Sequence, residues 1–527
     1  MLYVNTSKIY GYVPNGYHGK LVSIEVDIRR GIPGMQIIGL PEGAVREARE
    51  RVRIALSNSG FTVVGKKILV CLGPADLPKA SPGLDLAVAL AVLSAEAGTG
   101  SESGFNLLAV GELGLHGDIA PVHGVLAAVD EAAKLGCVSA VVPSLNAKEA
   151  SLCPRSSIYG VGTLSEAWEF LAENRSLCPV DLVKPDALPC ITDDGVLSGS
   201  VQALRGIELA AAGRHHIGFF GPPGTGKTMS AHNLARILPP LTHDEMIQTA
   251  RIWSIAEMLN NNAGVLTQPP VRAPHHSASV EGMIGGGKYL LPGEVSITHN
   301  GLLVLDEVAE FSRGVLQALR EPLESGEMRL VRAGMHAVFP ASSLVCLTSN
   351  LCPCGGFGKP KAVCACSPAE IGRYWRKFGG AVMDRIQIRV PCSPADFLQA
   401  EPLAAVRQKV LHAQSIQQKR NQRAPLKNNV RCYNSQLAES ELLECGACTQ
   451  ENINNARSAA KAAGLSFRGS HHVLQIARTM ADLDNSKSIM NRHLKEAASI
   501  RKIADGGTPW AYVSHRTANA RSGTVTA

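Results

Sequence analysis

At 527 residues the chain is too long for one compact domain, and two to four domains are expected. A hydrophobic content of 45% supplies sizeable cores, while the formal charge of +7 permits a polyanionic partner without requiring one, since a solvated basic surface gives the same balance. No apolar run near the N-terminus leads to a cleavage site, and the most apolar run, Leu84–Leu93, is far short of a membrane span. The expectation is a cytoplasmic protein with no membrane partner, whose 14 cysteines are reduced, clustered ones being metal candidates before disulfides.

Residues 1–171 read as a first unit. Val45, Ala48, Val52 and Leu56 recur at helical spacing opposite Arg and Glu, which predicts an amphipathic helix over Glu42–Ser59. A strand at Lys67–Leu72, a buried helix at Leu84–Ala97, a helix at Ala127–Leu135 and a strand at Ser139–Val142 make the unit mixed α/β. Residues 172–196 mix Pro with charges and lack periodicity, as a linker does. A second α/β unit spans 197–395. From 396 to 504 the pattern is helical, with segments near 397–421, 434–463, 470–483 and 487–503, and the tail 505–527 has a disordered composition.

Within the second unit, the apolar strand Ile217–Phe220 runs directly into Gly221-Pro222-Pro223-Gly224-Thr225-Gly226-Lys227-Thr228. A helix carrying Ala231, Leu234, Ala235 and Leu238 follows. This is the G-x-x-x-x-G-K-T pattern in its strand–loop–helix setting, as against a Gly-rich turn that binds nothing. Its glycines let backbone amides curl around phosphate oxygens at the positive end of a helix. Lys227 would reach the β- and γ-phosphates of ATP, and the Thr228 hydroxyl would hold Mg2+. A second strand, Leu302–Leu305, ends in Asp306-Glu307, which follows the lysine by 306 − 227 = 79 residues. Asp306 would hold Mg2+ and Glu307 would polarise the attacking water.

Between these last motifs and the helical region lie four further features. Glu327–Phe339 reads as a basic β-hairpin turning near Ala333-Gly334. The strand Leu344–Thr348 ends at Ser349-Asn350, where AAA+ ATPases keep a polar residue that orients the lytic water; a turn-forming Asn is the alternative. Cys352, Cys354, Cys364 and Cys366 form two C-x-C pairs in fifteen residues, either a tetrahedral Zn2+ site or four reduced thiols in a loop. Arg385 follows an apolar turn and precedes a strand, placed to reach a neighbouring subunit's γ-phosphate or to make an ordinary surface ion pair.

The stretches PPVRAPHHSAS, GGGKYLLPGEVSITHNGLLVLDE, LREPLESGEMRLVRAG, SNLCPCGG and GLSFRGSHHVLQIARTMADL, in this order, resemble the magnesium-chelatase-like AAA+ proteins of the ComM/YifB type, over roughly residues 1–503. The resemblance implies an α/β architecture in three parts: a Lon-protease-like α+β N-terminal domain, an AAA+ P-loop core and a C-terminal helical lid. It also implies a hexameric ring, and it sets Arg468 where the family has its second sensor arginine, a phosphate contact expected within the same chain. Leu351 stands where Pro is usual, and Ser277 where Thr is common. His275 and His276 are read as packing or ring contacts, since adjacent residues rarely face one ion.

PADLPKASPGLDLAVALAVL and GELGLHGDIAPVHGVLAAVDEAAKLGCVSAVVPSLN resemble the Lon proteolytic domain, yet Gly83 falls at the nucleophilic Ser and Leu126 at the Lys base. Ser81 and Lys79 lie nearby but out of register. A non-proteolytic domain is expected. For the motor's load, the resemblance implies DNA remodelling of single-stranded or branched DNA, with branch migration in natural transformation. Lys288, Arg329 and Arg332 would meet phosphates, while Arg373, Arg376 and Lys377 add charge or merely form a solvated helix face. A chelatase-type ATPase and a chaperone-like remodeller are the other two readings.

Overall fold

The computed structural model describes residues 7–39, 42–61, 66–74, 82–98, 107–172, 177–181, 195–259, 267–288, 290–332, 335–359, 363–393, 398–422 and 433–501. Lys79, Ser81, the hairpin turn 333–334 and the tail 505–527 therefore lie outside the described residues.

The N-terminal unit is built on a seven-stranded mixed sheet in the order Gly34–Ile38, Lys67–Gly73, Lys20–Arg29, Ser7–Val13, Leu107–Ala109, Ser139–Pro143, Ser157–Val161. The last four of these pair in parallel, while Lys20–Arg29 is antiparallel to both of its neighbours. The amphipathic helix is Glu42–Asn58, with Val52 and Leu56 buried. The apolar segment becomes a short turn, Pro82–Leu84, and then the helix Asp85–Ala97, buried continuously from Asp85 to Ala95. Its Asp85 carboxylate accepts from Arg51 Nε at 2.8 Å, although burial still pushes the carboxyl up to about 6.

The second unit carries a five-stranded sheet ordered Val271–Arg272, Leu302–Leu305, Leu344–Ser349, Ile217–Phe220, Ile388–Pro391, all parallel. Its three central strands are buried at every position, as a parallel sheet covered on both faces must be. Alternate residues report to different cores. Ile217, Phe219, Leu302, Val304, Leu344 and Cys346 join an apolar cluster that runs into the C-terminal helices through Val406, Val410 and Leu474. Phe220, Leu303, Leu305, Val345 and Leu347 join one that continues into the N-terminal unit through Val125, Leu126 and Val129.

The helical region differs from its expected segments in two places. The sequence pattern predicts a helix from 397, but Leu398–Pro402 is a strand that pairs antiparallel with Val196–Ser200, and the helix Leu403–Asn421 begins only after Pro402. The ring of Pro402 holds Glu401 out of the α region, so the chain stays extended up to it. The expected helix 434–463 is broken into Asn434–Gln436, Glu439–Glu444 and Gln450–Ala462. Gly446, at φ +69°, ends one helix and the Thr449 side chain caps the next. Phe467–Leu483 and Asn491–Arg501 complete the region.

The first two units are tied by a buried charge. Arg251, 2% exposed on the helix His243–Ile255, donates to Asp130 Oδ2 at 2.7 Å and Glu131 Oε1 at 2.6 Å, and its guanidinium lies 4.4 Å from the Tyr17 ring centre. Backbone bonds from Gly124 N to Ser254 O and from Tyr17 N to Val338 O extend the same seam.

Candidate functional site

The glycine loop forms where an apolar strand must turn sharply into a helix. Gly224 and Gly226 both take positive φ, +81° and +80°, and Gly226 is the N-cap of the helix Lys227–Ile237. At Gly221 the requirement is space: a Cβ there would sit 2.2 Å from the Cys392 carbonyl oxygen. The Thr225 hydroxyl donates back to Pro222 O at 2.9 Å and closes the loop.

Lys227 is held inside this loop. Its Nζ donates to Gly221 O at 2.8 Å, to Pro222 O at 2.9 Å and to Asn350 Oδ1 at 3.0 Å. Burial lowers its pKa from the usual lysine range, against the opposing pull of Cys392, Asp306 and Glu307. The strand order brings Asn350 here, because Leu344–Ser349 lies between the strands ending at Phe220 and Leu305. Thr228 Oγ1 lies 3.5 and 3.4 Å from the two Asp306 oxygens. The Thr348 hydroxyl donates to Asp306 and accepts from the Glu307 backbone N–H at 3.0 Å. Glu307 sits at φ +49°, a left-handed conformation costly for a residue with a Cβ and typical of functional turns. Sequence reading missed Thr348; a hydroxyl at a strand tip beside an acidic pair on the next strand was the available signal.

Arg385 and Arg468 are brought together elsewhere. Arg385 ends the helix Pro368–Arg385 and its guanidinium pairs with Glu324. Arg468 donates to the other oxygen of Glu324 at 2.8 Å and approaches Asp384 Oδ2 at 3.4 Å. The two arginines hold the Glu324 carboxyl below its usual range, Arg385 more strongly. Both line a cavity of roughly 690 Å³ with Glu324, Glu441, His471 and Gln475, and none of the residues of the glycine loop lines it. The structure thus groups Arg468 with Arg385 on the two oxygens of Glu324. The physical reason is the packing of the helix Phe467–Leu483, whose first turn, where Arg468 sits, lies beside the Arg385 end of its neighbour.

The four clustered cysteines do converge. Sγ of Cys352 lies 3.4 Å from that of Cys354, and Cys364 is 3.6 Å from both, with all four sulfurs within 4.8 Å of one another. The N–H of Gly356 donates to Cys354 Sγ and, with other donors, lowers that thiol to about 6. The His275 and His276 rings lie 4.0 Å apart, and the Ser277 hydroxyl is 2.8 Å from His275 Nδ1. In the N-terminal unit, Gly83 is buried in its turn and Leu126 is fully buried in the core. The hairpin forms from Glu327–Arg332 and Met335–Pro340; Met328, Leu330, Ala337 and Phe339 face inward, Arg329 and Arg332 are exposed. Lys377 is already engaged, donating to Ala309 O at 3.1 Å.

A parallel sheet whose central strand feeds a glycine loop, with an acidic pair and a polar strand tip converging on one lysine, defines a P-loop domain of the AAA+ type. Residues 194–399 match the family described as magnesium chelatase, subunit ChlI. Residues 24–146 match subunit ChlI of Mg-chelatase, and residues 400–501 match the ChlI C-terminal part. The chain is similar to the competence protein ComM of Haemophilus influenzae, 37% identical over 511 residues (94% of this chain, 97% of that protein). It is 35% identical over 501 residues to the uncharacterized protein YifB of Escherichia coli (93% and 95%) and 36% over 505 to an uncharacterized protein of Mycobacterium tuberculosis (94% and 98%). The chain belongs to the magnesium-chelatase-like proteins of the ComM/YifB type. Among the described residues no helix is long and apolar enough to cross a membrane.

Proposed function

We propose that this chain is an ATP-hydrolysing motor that works as a ring, most simply a hexamer, and acts on single-stranded or branched DNA. The observation that carries the reading is the convergence of Lys227, Thr228, Asp306 and Asn350 at the ends of three adjacent parallel strands. Phosphate oxygens of ATP replace the loop carbonyls around Lys227, whose charge then offsets that of the triphosphate. Thr228 and Asp306 present hard oxygen donors side by side, which suits Mg2+, and the ion would neutralise charge on the phosphates. Glu307, its backbone fixed by Thr348, takes the proton of the attacking water, and Asn350 orients that water.

The paired arginines favour an oligomer. Held by Glu324 on the flank of the helical lid, Arg385 and Arg468 serve the nucleotide of the adjacent subunit, where they stabilise transition-state charge. The N-terminal domain, Lon-protease-like in ancestry, acts in assembly or substrate binding rather than proteolysis; Leu126 supplies no base. For DNA as the load, support comes from the exposed arginines of the hairpin Glu327–Pro340 and from similarity to a competence protein.

The test is the ATPase rate with and without single-stranded, duplex and branched DNA across a salt series. Stimulation by branched DNA that falls steeply with salt is expected. Exchanging both Arg329 and Arg332 for Ala should flatten the log–log salt dependence of the DNA-binding constant by about 1 to 2. A rate indifferent to every nucleic acid would remove DNA from the reading and leave chelatase-type or chaperone-like work for the same ATPase.

A further inference from the structure

The cysteine loop has two properties that the nucleotide reading does not use: its four sulfurs meet at one point, and it rests on the glycine loop. We propose that Cys352, Cys354, Cys364 and Cys366 hold one Zn2+ as a tetrathiolate, and that this metal braces the phosphate loop against the strand tip carrying Asn350.

The sulfur geometry suits zinc. A Zn–S bond of about 2.3 Å in a tetrahedron places sulfurs about 3.8 Å apart, and the separations among Cys352, Cys354 and Cys364 are 3.4, 3.6 and 3.6 Å. All four are free thiols, at separations far beyond a disulfide bond. An all-sulfur donor set selects zinc over the hard cations. The C-x-C spacing is tighter than usual, and the backbone accommodates it by turning at once: Gly355 takes φ +68°, so the Gly356 and Phe357 N–H groups point back at Cys354 and Cys352, 3.4 and 3.3 Å from their sulfurs. Such donors are the outer-shell partners that a thiolate site needs.

The brace follows from what flanks the sulfurs. Asn350, bonded to Lys227, stands two residues before Cys352. Leu351 O accepts from the Trp375 indole at 3.0 Å, and that ring packs on Phe220, the last strand residue before Gly221. On the other side, a Cβ on Gly355 would lie 2.9 Å from Pro223 Cγ, and one on Gly358 3.8 Å from Pro222 Cδ. Directly after Cys366, Ser367 caps the helix that ends at Arg385. One metal would therefore fix the loop that joins the strand tip at Asn350, the glycine loop and the start of the helix that ends at Arg385.

The brace rests on the nucleotide reading; the metal does not. Full-length protein purified without chelators is expected to contain about one zinc per chain by elemental analysis. Cys354→Ser and Cys366→Ser should lose it, whereas Cys71→Ser and Cys178→Ser should keep it. A wild-type protein that retains no zinc and shows no cobalt–thiolate absorption on titration with Co2+ would overturn the site. Stripping the metal is expected to weaken binding of a fluorescent ATP analogue about tenfold, restored by added zinc. Gly355→Ala, whose Cβ would press on Pro223, should weaken nucleotide binding even in protein saturated with zinc. Unchanged affinity in both cases overturns the brace. Zinc-loaded protein that binds no nucleotide at all would defeat the nucleotide reading and the brace with it, leaving the metal count standing.

Discussion

Replacing Arg251 by Ala removes the charge that joins the N-terminal unit to the P-loop unit, and the structure sets the size of the effect. A charge pair at 4 Å in an effective dielectric of about 20 interacts with about 4 kcal/mol, and Arg251 makes two such contacts while 2% exposed. Removing one partner of a buried pair typically costs about 3–5 kcal/mol. Lys134 also meets both carboxylates, at 2.9 and 3.1 Å, and would partly compensate them, so the lower end, about 3 kcal/mol, is expected. Because a chain of several units does not unfold in one step, the suitable assay is local hydrogen exchange. The helix Val125–Lys134 should exchange about 100-fold faster in Arg251→Ala, from about 1.4 kcal/mol per decade, with Arg251→Lys intermediate because it lacks the forked guanidinium. A change of less than about fivefold would mean that apolar packing alone holds the seam, and the reasoning from charge would fail.

Burial pushes the Glu149 carboxyl up to about 7 from 4.5, so the fold prefers it protonated; its stabilising effect is full below pH 4.5 and is lost as pH rises to 7. Glu149→Gln should remove that dependence and gain on the order of 2–3 kcal/mol over wild type at pH 8, seen as a flatter melting-temperature profile between pH 5 and 8. Gly221→Ala should displace the loop from the Cys392 carbonyl, lowering stability by about 1–3 kcal/mol and abolishing nucleotide binding in calorimetry. Lys227→Ala should abolish ATP turnover outright. Arg385→Ala and Arg468→Ala should each lower turnover by at least about 100-fold, and mixing either with Lys227→Ala protein should restore part of the rate; no recovery on mixing would place the arginines in cis.

The glycine loop of the candidate site is legible because its pattern is local. Eight consecutive residues carry the loop, and the strands before it and before Asp306 are apolar at every position, which marks a buried parallel sheet. The burial of the helix Asp85–Ala97 was equally plain. What stayed hidden depends on residues far apart in sequence. Nothing around Arg251 announces Asp130 or Glu131, 121 and 120 residues earlier. Arg468 reads as an exposed helix start until Glu324, 144 residues before it, is seen to hold it together with Arg385. The strand Leu398–Pro402 reads as helix in the sequence because Leu398, Ala400 and the residues after Pro402 suit either period, and only its partner Val196–Ser200 decides the matter.

The central sheet, with one apolar cluster on each face, makes its parallel strands a party wall between two neighbours. Along Leu302–Leu305 a substitution at Leu303 disturbs the N-terminal side, while one at Val304 disturbs the helical side. Two mutations one position apart can thus loosen opposite ends of the molecule. Each would reach the same acidic pair, because the strand they share ends at Asp306.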